Sequence, residues 1–348
     1  MSEALYRKYR PHVFSDVVGQ DHVVKVLEAQ AKSGDISHAY LFAGTRGTGK
    51  TSVARIFADA IGTSKNDIYE IDAASNTSVD DIRALNESVF TLPFESKYKV
   101  YILDEVHMLS KSASNALLKT LEEPPSHVVF ILATTETHKI PETVLSRCEV
   151  YTFKKPSQEV LRKTVVSITK KEGSMVDDAS AELIALLGDG SFRDTQGILQ
   201  KVLSYSKDKK ISEDEVRLVT GAPATHLVHD IATSIATHDI GLALTTVKTA
   251  TAQNIDMSVF LKLILHTARA ILLVRFGAGQ IVKGDLSEKE FAFVEGLSKQ
   301  DGAFSSGTLV ELLTAYERTT GSYIPSLPLE LALVNIIGEG SGKESKKV

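Results

Sequence analysis

Cysteine is almost missing from this chain. Cys148 stands alone, so no internal disulfide and no cysteine-rich metal site can be built. Positive charge is not in excess either. With 39 Lys and Arg against 44 Asp and Glu, the net charge of −5 excludes a protein that coats nucleic acid by bulk charge. Any contact with DNA must come from a local patch or an assembled surface. Long uncharged apolar runs are lacking too. The most apolar stretch, residues 255–276, is interrupted by Asp256, Lys262, His266, Arg269 and Arg275, and reads as a buried amphipathic helix rather than a membrane span. The opening MSEALYRKYRPHVF has no apolar signal core, and no internal repeat is visible. A cytoplasmic protein without a membrane partner is the expectation.

What is present is an ordinary globular composition. At 43% apolar residues and a mean hydropathy of −0.01, the 348 residues can build a core, and the length suggests two or three domains. Residues 1–156 alternate apolar runs with helical stretches, which predicts a parallel sheet covered by helices. Strands are expected at 39–43, 68–72, 99–103, 128–133 and 149–153. Helices are expected near 21–33, 50–60, 78–90 and 111–122, the first ended by Gly34 and the last by Pro124-Pro125. Ser78 is a plausible N-cap.

After Pro156 the strand pattern stops. Residues 157–220 read as three or four short helices separated by Gly173, Gly188 and the polar stretch 206–210, with Ser212 and Glu215 forming a capping box. Gly221-Ala222-Pro223 marks a boundary, and residues 224–338 are again helical, with breaks near Asn254, Gly277, Gly302 and Gly321. The polar tail 339–348 is expected to be disordered.

Residues 44–51 read GTRGTGKT, a complete G-x-x-x-x-G-K-[ST] loop between a strand and a helix. The run Gly44, Thr45, Arg46, Gly47, Thr48, Gly49 would wrap phosphate oxygens with backbone N–H groups. Lys50 would reach the β/γ-phosphates, and Thr51 would hold Mg²⁺. Some fifty residues on, the third strand ends in Asp104-Glu105. Asp104 suits a Mg²⁺ carboxylate, and Glu105 suits the base that polarises water for attack on the γ-phosphate. The fourth strand ends in Ala133-Thr134-Thr135, where a hydroxyl could meet the γ-phosphate or the attacking water. Arg147 and Arg193 have, on their own, the weight of any surface arginine.

The segments from Tyr9-Arg10-Pro11 through Gly19-Gln20, then GTRGTGKTSVARIFA, EIDAASN, VYILDEVHML, NALLKTLEEPP, FILATTE and PETVLSRC, are together similar to the AAA+ clamp-loader family, and more narrowly to its gamma/tau branch. The piece GSFRD at 190–194 continues the likeness to about residue 220; beyond that it rests on position and helical character. The resemblance implies an α/β AAA+ P-loop domain over 1–156, a helical lid over 157–220 and an all-α oligomerisation collar over 221–338. It implies a Mg-dependent ATPase, with ATP and Mg²⁺ as cofactors, that loads a sliding clamp onto primed DNA; no polymerase active site is read in the chain. Thr135 would be the first sensor, with Thr134 as the alternative, Arg193 the second, and Arg147 a finger reaching a neighbouring subunit's ATP. Arg10, Pro11, Val17 and Val18 would lie near the adenine. Implied partners are other clamp-loader subunits of delta and delta-prime type, the sliding clamp, primer–template DNA, single-strand-binding protein and the polymerase core. Lys111, Lys119 and Lys139 are candidate phosphate contacts.

Two departures qualify the likeness. The family's four-cysteine zinc module is replaced by Gly62-Thr63-Ser64-Lys65-Asn66-Asp67, so no zinc site is expected; and the chain stops near the end of the third domain, like the family's short form. A non-catalytic scaffold subunit would have lost Lys50, Thr51, Asp104 or Glu105. A branch-migration helicase would end in a basic winged helix, which residues 224–338 do not suggest.

Overall fold

A computed structural model of the chain describes residues 3–75, 78–206, 208–284, 286–300 and 304–342. Two compact units are present, Met1–Ile168 with Gly188–Gln200, and Thr169–Leu187 with Lys201–Val348.

The first unit is built on five parallel strands: β1 (Ala39–Ala43), β2 (Ile68–Asp72), β3 (Lys99–Asp104), β4 (Val128–Thr134) and β5 (Glu149–Thr152), in the order β2-β3-β4-β1-β5. Three of them, β1, β3 and β4, read as unbroken apolar runs because both faces are covered; the edge strands β2 and β5 are partly exposed. Alternate side chains go to opposite faces. Leu41, Leu103, Phe130 and Leu132 pack with Ile82, Leu85, Leu117 and Leu121 on one face, while Tyr40, Phe42, Ile102 and Ile131 pack with Leu27, Val53 and Phe57 on the other.

The covering helices follow their capping chemistry. After α1 (Leu5–Lys8), α2 (Asp21–Ser33) ends on Gly34, whose φ of 77° closes the helix. The phosphate-loop helix is α3 (Lys50–Ala60). For α4 (Val79–Val89), Ser78 and Asp81 exchange the two bonds of a capping box. Ser110 caps α5 (Lys111–Glu122), which stops before Pro124. A single turn, α6 (Glu142–Leu145), precedes β5. Then come α7 (Gln158–Lys171), α8 (Asp178–Leu187) and α9 (Phe192–Tyr205).

The expectation of no strands after Pro156 needs correction. Met175–Val176 (β6) and Lys210–Ile211 (β7) form a parallel pair in the second unit. Two residues are too few to show a period-two pattern, and only Ile211 is buried. Helix α10 (Glu213–Thr220) has the Ser212–Glu215 capping box and ends on Gly221 in the left-handed region.

The rest of the second unit is α11 (Thr225–Thr237), α12 (Ile240–Ala252), α13 (Met257–Arg275), α14 (Gln280–Lys283), α15 (Glu288–Ser298), α16 (Ser306–Thr319) and α17 (Leu327–Gly342). Helix α13 is the one described helix long and apolar enough to cross a membrane by length and composition, with mean hydropathy 1.8. Phe260, Leu261, Ile264, Ala268 and Ile271 on it are core residues of this unit, packed with Leu227, Ile231, Leu312 and Leu333. The breaks near Asn254, Gly277 and Gly321 are present; Asn76, Lys207 and Gly302 lie outside the described residues. Helix α17 is assigned through Gly342, and 343–348 of the expected tail lie outside the described residues.

The short connection between α3 and β2 is anchored by Asp67. Its carboxylate is buried and accepts the backbone N–H groups of Phe94 (2.5 Å), Ser96 (2.9 Å) and Glu95 (3.0 Å). Burial alone would raise this carboxyl, but the N–H donors outweigh it and hold it below its ordinary 3.8. Asp67→Asn should therefore cost about 1–3 kcal/mol at neutral pH, because an amide turns its own N–H toward donors. A carboxyl depressed in the fold stabilises above the ordinary value and loses that contribution as pH falls through the lower folded one. The gap between Asp67→Asn and the parent in urea titrations should be full at pH 7 and shrink in acid below the ordinary 3.8.

Candidate nucleotide-binding site

Parallel pairing puts the carboxyl ends of β1, β4 and β3 side by side. Ala43 is level with Thr134, and Leu103 with Leu132, so Asp104 and Thr134 end beside the start of the GTRGTGKT loop. The Gly44 N–H donates to the Thr134 carbonyl (3.1 Å), extending the ladder one residue into the loop. In open parallel sheets this edge is where ligands bind.

The loop needs its glycines at two positions above all. Gly49, the N-cap of α3, has φ 101°. Gly47 has φ 74°, and a Cβ there would lie 2.0 Å from Ser191 Oγ. The contact is made because the Phe192 N–H donates to the Gly47 carbonyl (2.9 Å). The phosphate loop is thus bonded directly to the GSFRD turn, both within the first unit.

Lys50 is 6% exposed, and its Nζ donates to the carbonyls of Gly44 (2.7 Å) and Thr45 (3.0 Å). Burial lowers its ammonium below the usual lysine value and Arg193 adds to this, while Glu105 and Asp104 oppose it. The Thr51 hydroxyl donates to Asp104 Oδ2 (2.7 Å). These are hard oxygen donors of the kind magnesium takes. Among the described residues no cluster of three His, Cys, Asp or Glu side chains could hold a metal by itself. A magnesium ion would therefore need Thr51 and Asp104 together with phosphate oxygens, which is its usual manner of binding.

Glu105 is in the left-handed region, φ 52°, unusual for a side chain with a Cβ. Its Oε2 accepts the Thr135 hydroxyl (3.0 Å). Of the two candidate threonines, Thr135 thus meets the acid, whereas buried Thr134 is bonded to the Glu136 N–H (3.0 Å) and His107 Nδ1 (3.1 Å).

One cleft is lined by Arg10, Pro11, Val17 and Val18 together with 46–51, Asp104, Glu105 and Arg193. The guanidinium of Arg193 stands over the Tyr6 ring, 5.8 Å from its centroid. Burial, with the like charges of Arg55, Arg193 and Arg7, lowers the Arg10 guanidinium despite the opposing field of Glu70. The cleft brings the basic side chains Arg10, Arg46, Lys50 and Arg193 together with the carboxylates of Asp16, Asp104 and Glu105. Gln20, Tyr6, Tyr9 and Gln196 belong to this site without having been singled out. Gln20 is fully buried and ties the loop down, donating to the carbonyls of Lys154 (2.7 Å) and Thr48 (3.4 Å). Nothing in a glutamine before a helix announces this.

Arg147 does not line the cleft. It donates to the Thr143 carbonyl and pairs with Glu122 (both 2.6 Å) on the surface around α6. Its neighbour Cys148 has its thiol pushed up by burial to about 12, far from a reactive thiolate. Lys111 and Lys139 line a separate groove beside α5 and α6. Lys119 lines neither.

Two family models match. One, described as DNA polymerase III, delta subunit, covers residues 19–76 and 62–157; the other, DNA polymerase III subunits gamma and tau domain III, covers 211–346. DNA polymerase III subunit tau of Bacillus subtilis is 38% identical across 96% of this chain and 63% of its own length. The gamma/tau subunit of Mycobacterium tuberculosis is 32% identical across 96% of this chain and 62% of its own. The chain thus spans a little under two thirds of these relatives. Among solved structures, the Thermotoga maritima RuvB Holliday junction branch migration motor superposes with a TM-score of 0.53 at 24% identity, over 65% of this chain and 79% of that one. At that identity the likeness concerns the fold alone: the sheet order and its terminal phosphate loop are those of an AAA+ domain.

Gly47→Ala tests the loop geometry. A forced left-handed alanine costs about 1–3 kcal/mol, and its methyl must also displace Ser191. ATP affinity measured by calorimetry should drop about ten- to hundredfold. Ser191→Gly in the same chain should restore part of it, since the clash goes and the backbone strain stays.

Proposed function

Because the chain belongs to the gamma/tau subunit family of DNA polymerase III, we propose that it is an ATP-hydrolysing subunit of a clamp loader, one that places a sliding clamp on primed DNA in the cytoplasm. The single observation that supports this best is the gathering of Lys50, Thr51, Asp104, Glu105 and Arg193 around one cleft, with Thr51 bonded to Asp104 and Thr135 bonded to Glu105. A scaffold subunit without turnover has no use for that full set.

The residues act as follows on this reading. Backbone N–H groups of 44–49 and the start of α3 hold the phosphates, and Lys50 turns from the loop carbonyls to the β/γ-phosphates. Thr51 and Asp104 hold magnesium, which when bound neutralises charge on the phosphates. Glu105 takes the proton of the attacking water as it adds to the γ-phosphorus, and the bond to the β-phosphate oxygen breaks. Thr135 orients Glu105 or that water. Arg193, on α9 at the loop's GSFRD contact, reports the γ-phosphate to the lid. The adenine sits against Arg10, Pro11, Val17 and Val18.

Arg147 serves a neighbour's cleft. Its absence from its own cleft supports this, and a finger in trans makes hydrolysis depend on assembly. The domain plan is 1–156 for ATP, 157–220 for the lid and 221–338 for the collar that joins subunits. Delta- and delta-prime-like subunits, the clamp, primer–template DNA, single-strand-binding protein and the polymerase core are the proposed partners.

Turnover should be measured with and without primed DNA, clamp and partner subunits. Hydrolysis indifferent to all of them would defeat the reading. Lys50→Ala should abolish turnover. Arg147→Ala should leave ATP affinity within about twofold and remove about 10³–10⁵ of the stimulated rate; weakened ATP binding instead would place Arg147 elsewhere.

A further inference from the structure

Helix α1 has no part in the scheme above. Its Leu5 side chain is buried, and the Leu5 N–H donates to the side-chain carbonyl of Gln200 on α9 (3.1 Å). The next residue, Tyr6, is half-buried and lines the nucleotide cleft. The centroid of its ring is 5.8 Å from the Arg193 guanidinium and 5.7 Å from that of Arg7. Arg193 is exposed and lies three residues before Gln196 and seven before Gln200, so the three share one side of α9. Gln196 lines the same cleft. The Phe192 N–H fixes the start of α9 to the Gly47 carbonyl. Helix α9 is thus tied to the phosphate loop at its start and to α1 about two turns later.

Arg193 faces like charge. Lys50 and Arg10 line the same cleft, and both are held below their usual values first by burial and in part by the Arg193 charge. That repulsion is mutual, so it pushes Arg193 away from the cleft. Among the described residues no carboxylate forms an ion pair with Arg193. An aromatic ring attracts a cation without carrying a net charge, because its face is the negative part of a quadrupole. A carboxylate in the same place would neutralise the arginine and repel a phosphate; a ring does neither. The contact is weak enough to leave: over a partly exposed ring it shifts a population about two- to fivefold. A guanidinium ordered before the ligand arrives does not subtract its ordering from the binding free energy.

We propose that Tyr6 is a positioning residue for Arg193: α1, bonded to α9, carries a ring that keeps this guanidinium at the cleft against Lys50 and Arg10, in place for the γ-phosphate. The inference rests on the reading of Arg193 as the second sensor and adds the side chain that prepares it. It also gives α1 a task. Tyr9 and Arg10 follow α1 directly and line the same cleft as Tyr6, so the opening segment meets the nucleotide site through three side chains.

The test compares ATP with ADP by calorimetry on the full chain and follows the side-chain Nε–H resonance of Arg193 in ¹⁵N spectra. Arg193→Ala should weaken ATP binding more than ADP binding. If it does not, the second-sensor reading fails, and the spectra still decide whether the ring holds the arginine. Tyr6→Leu should weaken ATP binding about two- to fivefold more than ADP binding, the scale of a cation over a partly exposed ring, with the melting temperature nearly unchanged. Tyr6→Phe should recover most of that loss, since the ring face remains. Tyr6→Leu added to Arg193→Ala should cost nothing further. Arg7→Ala should bind ATP as the parent does, although Arg7 is also near the ring. The Arg193 resonance should move in Tyr6→Leu and stay in Tyr6→Phe. Equal losses for ATP and ADP in Tyr6→Leu, additive losses with Arg193→Ala, or a Tyr6→Phe chain as weak as Tyr6→Leu would overturn the proposal. So would an Arg7→Ala loss as large as that of Tyr6→Leu, or an Arg193 resonance indifferent to Tyr6→Leu.

Discussion

The site depends on the ladder between β1 and β4. By pairing Ala43 with Thr134 and passing one more hydrogen bond from Gly44 to the Thr134 carbonyl, it fixes where the phosphate loop leaves the sheet. Since β4 also pairs with β3, the same ladder sets the height of Asp104 against Thr51. A slip of one residue would turn every inward side chain outward and break the two packed faces together, so the register is held by the whole core. The chemistry at the strand ends inherits that rigidity.

Most of the sheet was legible because its signals are local and redundant. Uninterrupted apolar runs, Gly34 after α2, Ser78 before α4 and Pro124 after α5 each agree with the tertiary outcome. The meeting of the GTRGTGKT loop with Asp104-Glu105 followed from the sequence too, since the loop follows β1 and the acidic pair ends β3 of one parallel sheet. What escaped were contacts between residues far apart in sequence. Gln20 reaches Lys154, Gly47 takes the Phe192 N–H, and His107 meets the Thr134 hydroxyl, and no periodicity encodes any of these. The β6–β7 pair escaped for a different reason: two residues on each side are shorter than one period of evidence.

One residue carries conformational cost where the site needs direction. Gly47 takes a left-handed backbone without steric cost and lets Ser191 approach closely, whereas Glu105 takes one despite its Cβ. Strain of this kind persists only where surrounding structure over-determines it. Around Glu105 the determinants are the buried β3 strand before it and the turn Val106–Met108 after it, with Val106 packed into the core. A side chain aimed by its backbone can still move between hydrogen-bond partners, which a side chain locked by packing alone cannot.

On the proposed reading Arg147 acts at a neighbour's cleft and does not line its own. It is satisfied locally by Glu122 and the Thr143 carbonyl, so its own surroundings give no hint of a phosphate. On the proposed reading that local pairing is useful. A guanidinium left free would be drawn to any anion, whereas one held on the surface by an exposed carboxylate and the Thr143 carbonyl is released at modest cost, because exposed ion pairs contribute about 0–1 kcal/mol and a single hydrogen bond about 0.5–1.5 kcal/mol. The gain at a neighbour's γ-phosphate, a factor of about 10³–10⁵, is about 4–7 kcal/mol of barrier. The difference is large enough for assembly to control hydrolysis, and the weak bond to Glu122 keeps the arginine positioned until assembly occurs.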